Sequence, residues 1–226
     1  MGRRTDAILA STIIREIQKK NPEKALIAVE KLLKQRPEET ALLNLKGVCL
    51  DMLGRHEESL ICYEHVLSGE PNQGIYWNNK GLALQNLGRY NEAEEHYRKA
   101  LTIDPECFEA VYNLGNTLQT LCKLDESLVQ YDIALEIRPD HLLTLLNKGN
   151  ALASLQQFDQ AILCYTEILD IRPDSPDASY NLGHTYEEMG NLRDARIWYR
   201  KTLEIDPDYI HAIEQLKKIS ESNPEK

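Results

Sequence analysis

The chain has 226 residues, of which 26 are Lys or Arg and 36 are Asp or Glu, so its formal net charge is −10. This acidic balance, without a long basic run, argues against nucleic-acid binding, which depends on clustered Lys and Arg. No stretch approaches the roughly 18 to 20 consecutive apolar residues that a membrane span needs, and the first residues lack the apolar core of a secretion signal.

The cysteines indicate a reducing compartment. Their number, five, is odd, and they form no C-x-x-C pair, so the sequence does not favour a disulfide framework. Cysteines with this distribution usually act as small buried hydrophobes. We therefore expect a cytoplasmic protein.

The dominant feature of the sequence is a period of 34 residues, carried by three columns. The glycines are Gly47, Gly81, Gly115, Gly149 and Gly183, the tyrosines are Tyr63, Tyr97, Tyr131, Tyr165 and Tyr199, and the prolines are Pro71, Pro105, Pro139, Pro173 and Pro207. A fixed period of this length indicates a tandem array. In such an array each unit contacts only its neighbours, so residues 1–226 are predicted to form a single elongated domain.

The period divides the chain into units in which glycine is position 8, tyrosine is position 24 and proline is position 32. In chain order we predict a degenerate repeat at 6–39, full repeats at 40–73, 74–107, 108–141, 142–175 and 176–209, and a capping helix at 210–221. The degenerate repeat keeps Pro37 at position 32 but has Ile13 at position 8. The capping helix is expected to cover the last repeat with Ile213, Leu216 and Ile219.

Each unit is predicted to contain a helix, a tight turn, a second helix and a short connector. Small residues at positions 8 and 20 allow the two helices to approach closely, and the tyrosine at position 24 fills the space beside them. Position 15 is predicted to be a left-handed helix end, since three units have glycine there: Gly54, Gly88 and Gly190. Position 18 is predicted to cap the second helix through Asn91, Asp125 and Asp159. Proline at position 32 ends that helix.

This arrangement resembles the tetratricopeptide repeat (TPR) family, whose pattern is W-x2-L-G-x2-Y, then A-x3-F, then P. Here the pattern reads Trp77-x2-Lys80-Gly81-x2-Leu84, Ala93-x3-Tyr97 and Pro105. The resemblance covers nearly the whole chain. It implies an all-α fold, a right-handed α-solenoid of tandem helix-turn-helix units. At position 7 the family's leucine is replaced by Lys46, Lys80 and Lys148, which are expected to bury their stems and keep their charges in water.

The resemblance also implies a binding surface. In this family the first helices line a concave groove, and here position 6 is asparagine in four successive repeats. A carboxamide has donors and an acceptor, so a ladder of asparagines can pair with the backbone of an extended peptide. The candidate peptide-binding residues are Asn44, Asn78, Asn79, Tyr112, Asn113, Asn116, Leu146, Asn147, Asn150, Tyr180 and Asn181. A structural ladder that bonds neighbouring helices or water stays open as the alternative.

No catalytic or metal-binding pattern is present. The six histidines lack H-E-x-x-H spacing, and the sequence has neither a phosphate loop nor a nucleophile elbow. We therefore expect no enzyme activity, no metal and no cofactor. The basic residues of the family's carboxylate clamp are also missing, whereas the C-terminal repeat carries Asp177, Glu187 and Glu188. A neutral to basic protein or peptide partner is expected.

The sequence thus predicts a non-catalytic protein–protein interaction scaffold that holds an extended peptide segment in its groove through the asparagine ladder. Two alternatives stay open. One is a self-assembling scaffold, through the solenoid ends or through a convex face that carries Trp198 beside Tyr199. The other is a targeting region of a larger enzyme, such as a glycosyltransferase. The peptide scaffold is favoured because the amides line the groove while no apolar end is evident.

Overall fold

The computed structural model describes residues 13–222, and all regular secondary structure in that range is α-helical. Residues 13–18 are helical, and the beginning of the predicted degenerate repeat, residues 6–12, lies outside the described residues. The further helices are α1 (Pro22–Leu33), α2 (Thr40–Met52), α3 (His56–Gly69), α4 (Gly74–Asn86), α5 (Tyr90–Ile103), α6 (Phe108–Thr120), α7 (Leu124–Ile137), α8 (Leu142–Ser154), α9 (Phe158–Ile171), α10 (Pro176–Glu188), α11 (Leu192–Ile205) and α12 (Ile210–Ser222). The predicted all-α fold of tandem helix-turn-helix units is confirmed.

The chain forms two compact units, Met1–Leu121 and Cys122–Lys226. The first unit holds α1 to α6 and the second holds α7 to α12. In both, consecutive helices pack as hairpins, and consecutive hairpins stack on each other. The first helices of neighbouring repeats also contact directly, α2 with α4 and α4 with α6 in the first unit, and α8 with α10 in the second. We call the face formed by these helices within each unit the first-helix surface.

The glycine and tyrosine columns are explained by one contact that recurs in each described pair. A Cβ atom built on Gly81 would lie 2.8 Å from Cε1 of Tyr97, and one on Gly149 would lie 2.5 Å from Cε1 of Tyr165. Both tyrosine rings are buried. The predicted filling of the space beside the small residue is confirmed: the ring packs against a helix that has no side chain at that point. The same contact joins Gly47 to Tyr63 and Gly183 to Tyr199.

The buried tyrosine hydroxyls are satisfied by the first helix of the same repeat. The oxygen at position 12 accepts the bond in three repeats: Tyr63 donates to Asp51, Tyr97 to Gln85 and Tyr199 to Glu187. In the repeat at 142–175, position 12 is Ala153, and Tyr165 donates instead to Oδ1 of Asn150, three residues earlier, at 2.8 Å. An unpaired buried hydroxyl costs about 1–3 kcal/mol, so Asn150 stabilises the fold by accepting this bond.

The predicted left-handed helix end is confirmed, with φ of 73°, 75° and 79° at Gly54, Gly88 and Gly190. Position 15 keeps this conformation without glycine, since φ is 54°, 58° and 59° at Lys20, Cys122 and Gln156. The left-handed backbone costs a residue with a Cβ roughly 1–2 kcal/mol. The repeat geometry therefore imposes the turn even where the local residue opposes it.

The predicted helix caps at position 18 are wrong. The second helices α5, α7 and α9 begin at Tyr90, Leu124 and Phe158, one residue before Asn91, Asp125 and Asp159, which lie in the first turn instead. The cap is at position 16, directly after the left-handed residue. Asn191 shows it in α11, where its Oδ1 accepts from the backbone N–H of Asp194 at 3.3 Å.

The lysines at position 7 pair with acidic residues at position 25 of the preceding repeat. Lys80 Nζ lies 3.2 Å from Glu64 Oε1, and Lys148 Nζ lies 2.6 Å from Asp132 Oδ1; Lys46 approaches Glu30 in the same way, at 3.5 Å. The Lys80 side chain is 16% exposed while that of Glu64 is 62% exposed, as expected for a buried stem with a solvated charge. Leucine occupies position 7 where no acid precedes it, at Leu114 after Arg98 and at Leu182 after Thr166.

The last helix, α12, packs against α11 through a seam that differs from the predicted one by a residue. Ala212 and Ile219 are buried, whereas Ile213 is 46% exposed. Leu216 contacts the cluster that contains Tyr199 and Ala195. The seam thus follows positions 212, 216 and 219, the 4-then-3 spacing of one helix face.

Candidate functional site

In the first unit, four carboxamides form a continuous chain of hydrogen bonds across three repeats. Asn79 Nδ2 donates to Asn44 Oδ1 at 3.0 Å, and Asn113 Nδ2 donates to Asn78 Oδ1 at 3.3 Å. Asn78 Nδ2 joins the two pairs by a longer contact of 3.4 Å to Asn79 Oδ1. Asn78 is 4% exposed, whereas the other three are half-buried. The bonds hold the first helices of neighbouring repeats in register.

These bonds use only part of the hydrogen-bonding capacity of each amide. A carboxamide has two N–H groups and two oxygen lone pairs. At Asn79 one N–H is used on Asn44, and one lone pair faces Asn78. One donor and one acceptor remain on a side chain whose orientation is fixed by its neighbours.

In the second unit the ladder has a different register. Asn181 Nδ2 donates to Asn150 Oδ1 at 3.0 Å, spanning position 6 to position 9, whereas Asn79 and Asn113 reach position 5. The reason is the residue at position 5 of the repeat at 142–175, Leu146, which has no amide. Asn150 Oδ1 also accepts from Tyr165, so its two lone pairs are both engaged.

The remaining predicted site residues are half-buried on the same surfaces. Tyr112 stacks on Phe108 with 6.0 Å between ring centroids and 4° between the planes. Tyr180 contacts Tyr199 and Tyr209, at 5.5 and 5.2 Å between centroids. The others are Asn116, Leu146 and Asn147. The aromatic members are thus supported by core contacts on one side.

A cavity of about 200 Å³ opens between α8 and α10, and the sequence prediction did not include it. Its lining residues are Asn150, Ala153, Ser154, Tyr165, Asn181, His184, Thr185 and Glu188. The cavity lies at position 12 of the repeat at 142–175. This position holds Asp51, Gln85, Gln119 and Glu187 in the other full repeats, but it holds Ala153 here. The one small residue in this column is the signal that could have revealed the cavity.

The three acidic residues of the C-terminal repeat have different roles. Asp177 Oδ1 accepts from the hydroxyl of Tyr209 at 3.0 Å, and Glu187 Oε2 accepts from that of Tyr199 at 2.5 Å. Burial, followed by these acidic neighbours, raises the pKa of both tyrosines above its usual range. Glu188 is the member of the three that lines the cavity.

The second helices expose aliphatic side chains at position 22, except in the repeat at 74–107, where this position is Glu95. In the second unit these are Val129, Leu163 and Ile197, which are 55%, 69% and 52% exposed. Ile27 and Ile61 occupy the same position in the first unit. Tyr199, by contrast, is fully buried, so it adds nothing to the apolar surface that was expected beside Trp198.

The described residues contain neither a disulfide bond nor a cluster of metal ligands. All five cysteines are free thiols, and burial raises the pKa of Cys49 to about 11. Between residues 13 and 222 no group of three or more His, Cys, Asp or Glu side chains is arranged to hold a metal ion. No helix in this range is long and apolar enough to cross a membrane.

Three protein-family models match the chain, and all three describe the tetratricopeptide repeat. The description "Tetratricopeptide repeat" covers residues 75–107 and 176–209, "TPR repeat" covers 149–190, and a second "Tetratricopeptide repeat" profile covers 15–73. Together the matched residues span most of the chain. No curated protein sequence matches the chain significantly.

Solved structures with the same fold include three that cover most of the chain at low identity. YrrB, a TPR protein with an unusual peptide-binding site, is 24% identical with a TM-score of 0.73, over 84% of this chain and 98% of its own. PilF of Pseudomonas aeruginosa is 16% identical with a TM-score of 0.80, over 96% and 100%. MamA of Desulfovibrio magneticus is 21% identical with a TM-score of 0.71, over 76% and 97%. From the repeat columns, the stacked hairpins and the family matches, the chain belongs to the tetratricopeptide repeat family, whose fold is a scaffold for protein–protein interaction.

Proposed function

We propose that the protein binds an extended, neutral to basic peptide segment of a partner protein on its first-helix surface. The observation that carries this proposal is the chain of carboxamides from Asn44 to Asn113, in which each amide is oriented by another and still has hydrogen-bonding capacity. Fixed side chains lose little conformational entropy on binding, which favours affinity. The acidic balance of the chain favours a partner without net negative charge.

The ladder residues have two roles in this proposal. Asn79, Asn113, Asn147 and Asn181 at position 6 contact the peptide backbone, together with Asn116. Asn44, Asn78 and Asn150 support them, since Asn78 is buried and the oxygen of Asn150 is fully engaged. Tyr112, Leu146 and Tyr180 flank the ladder and supply apolar contacts for side chains of the peptide. YrrB, which has the same fold, has a peptide-binding site.

Replacing Asn79 and Asn113 together with alanine is expected to weaken peptide binding. The variant loses one hydrogen bond to the peptide from each of the two asparagines, and each bond contributes about 1 kcal/mol net. Since each 1.4 kcal/mol is tenfold in affinity, we expect a loss of affinity of roughly 30-fold. The measurement is calorimetric titration with peptides selected by the wild-type protein from a random displayed library. Far-UV circular dichroism is expected to stay helical.

The matched control is Asn91→Ala, which removes an exposed carboxamide on a second helix. It is expected to bind the selected peptides with wild-type affinity. Equal binding by the double variant and this control would contradict the ladder mechanism.

A second candidate function is self-association, and the row of Val129, Leu163 and Ile197 is the observation that favours it. If this row forms an interface between copies, the sedimenting mass rises with concentration, and Leu163→Lys abolishes the rise. Thr166→Lys, at an exposed position of the same helix, serves as the control and leaves the rise intact. A wild-type protein that stays monomeric across the concentration range removes this candidate.

A further inference from the structure

The cavity between α8 and α10 exists because one side chain is short. Position 12 is a polar residue with a side-chain oxygen in the other full repeats, where Asp51, Gln85 and Glu187 accept a hydrogen bond from the hydroxyl of the buried tyrosine. Ala153 cannot do this, so Asn150 has taken over the bond to Tyr165. The space that a longer side chain fills elsewhere is empty here and opens on the first-helix surface.

The hydroxyl groups that line the cavity present oxygen lone pairs. Ser154 Oγ donates its proton to the backbone carbonyl of Asn150 at 2.9 Å, and Thr185 Oγ1 donates to that of Asn181 at 2.8 Å. Tyr165 donates to Asn150 Oδ1. A hydroxyl has one proton and two lone pairs, so each of these groups has used its proton on the protein.

The charged residues of the cavity also favour a ligand with hydrogen-bond donors and a positive charge. Glu188 lines it with a side chain that is 43% exposed, and its Oε2 lies 3.9 Å from Nδ1 of His184, beyond hydrogen-bond distance. None of the eight lining residues is Lys or Arg. The donors in the lining are the amides of Asn150 and Asn181 and the ring of His184, and in the proposed function the Asn181 amide contacts the peptide backbone.

The size of the cavity restricts its occupant. Its volume of about 200 Å³ is several times the roughly 30 Å³ that one water occupies. It is smaller than the roughly 300–1,000 Å³ of sites that enclose a drug-sized ligand. A single long side chain is the class of group that fits.

We propose that this cavity receives the cationic end of a lysine or arginine side chain of the bound peptide, and so sets its sequence preference. This inference rests on the proposed peptide-binding function. The hydroxyl lone pairs of Ser154 and Thr185 and the carboxylate of Glu188 accept from the ammonium or guanidinium N–H groups, which are donors without any acceptor. The backbone of the same peptide runs past Asn181.

The test uses peptides that the full chain selects from a random displayed library. Lys or Arg is expected to be enriched at one position, and replacing it in a synthetic peptide with norleucine is expected to weaken binding at least tenfold. Two protein variants should abolish this difference. Ala153→Gln fills the cavity with the residue that Gln85 and Gln119 provide in other repeats, and Glu188→Gln removes the charge with little change of shape.

Glu204→Gln, which neutralises an exposed carboxylate on a second helix of the same unit, is the control and should keep the preference. Thermal unfolding of Ala153→Gln checks that the variant folds, and Glu188→Gln tests the cavity without altering its packing. Selected peptides that bind through the ladder but show no Lys or Arg preference would overturn this inference and leave the proposed function standing. Failure of the library to yield any binding peptide would overturn both.

Discussion

Raising the pH above about 10 is expected to unfold the protein cooperatively. Tyr63, Tyr97, Tyr165 and Tyr199 are buried, and burial raises the pKa of each hydroxyl well above its usual range. In the folded protein they stay neutral, whereas in the unfolded chain they ionise from a pKa of about 10. The stability is therefore fully present below that pH and is lost above it.

The expected slope is steep because the four groups act together. Each loses about 1.4 kcal/mol of unfolding free energy per pH unit above 10, so four lose roughly 5 kcal/mol per unit. A stability of about 5–15 kcal/mol is then exhausted within roughly one to three pH units. Far-UV circular dichroism and the phenolate absorbance contributed by these four tyrosines, recorded together against pH, should change in one transition.

Tyr97→Phe provides the control for this titration. It removes one ionising group, and the Gln85 oxygen that it leaves still accepts from Thr117 at 3.0 Å. Its transition should be shallower. Ionisation of all eleven tyrosines near pH 10, with the helical signal unchanged, would show that the buried hydroxyls do not govern alkaline stability.

Gly149→Ala is expected to destabilise the protein, although alanine is the better helix former by about 1 kcal/mol. The new Cβ would lie 2.5 Å from Cε1 and 2.9 Å from Cζ of Tyr165, a buried ring whose hydroxyl is held by its hydrogen bond to Asn150. Overpacking of this kind costs about 1–3 kcal/mol or more. Leucine at the same position should cost more still. At roughly 2–4 °C per kcal/mol for a chain of this size, thermal unfolding detects the loss.

Gly69→Ala is the matched control, because a Cβ on this helical glycine has no heavy atom within 4 Å. It is expected to be neutral or slightly stabilising. If Gly149→Ala unfolds at the same temperature as Gly69→Ala, contact with the tyrosine ring is not the reason for the glycine column.

The helical architecture could be predicted from the sequence because the same residue types recur at each column and local signals agree with the global pattern. The contact of Gly81 with Tyr97 is a case where two columns, 16 residues apart, reveal one packing unit. The helix caps were misplaced by two residues at Asn91 and Asp159, since polar residues are favoured both at the N-cap and, when acidic, in the first helical turn.

The candidate site could be predicted less well, because it depends on residues one repeat away. Asn79 and Asn181 occupy the same column, yet Asn79 bonds to position 5 and Asn181 to position 9 of the preceding repeat. The column does not distinguish them; their neighbours Asn44 and Leu146 do. Predicting the cavity at Ala153 would have required the further knowledge that the side chain at position 12 contacts the tyrosine at position 24.

The pairing of position 7 with position 25 has a consequence for how such a gene can change. Tandem duplications readily gain or lose a copy, and loss of residues 108–141 would bring Arg98 next to Lys148, two cations where Glu64 now meets Lys80. Loss of residues 74–107 would instead leave Glu64 facing the apolar Leu114. The repeats are therefore no longer interchangeable. The side chains at positions 7 and 25 match at each junction only while the repeats keep their present order.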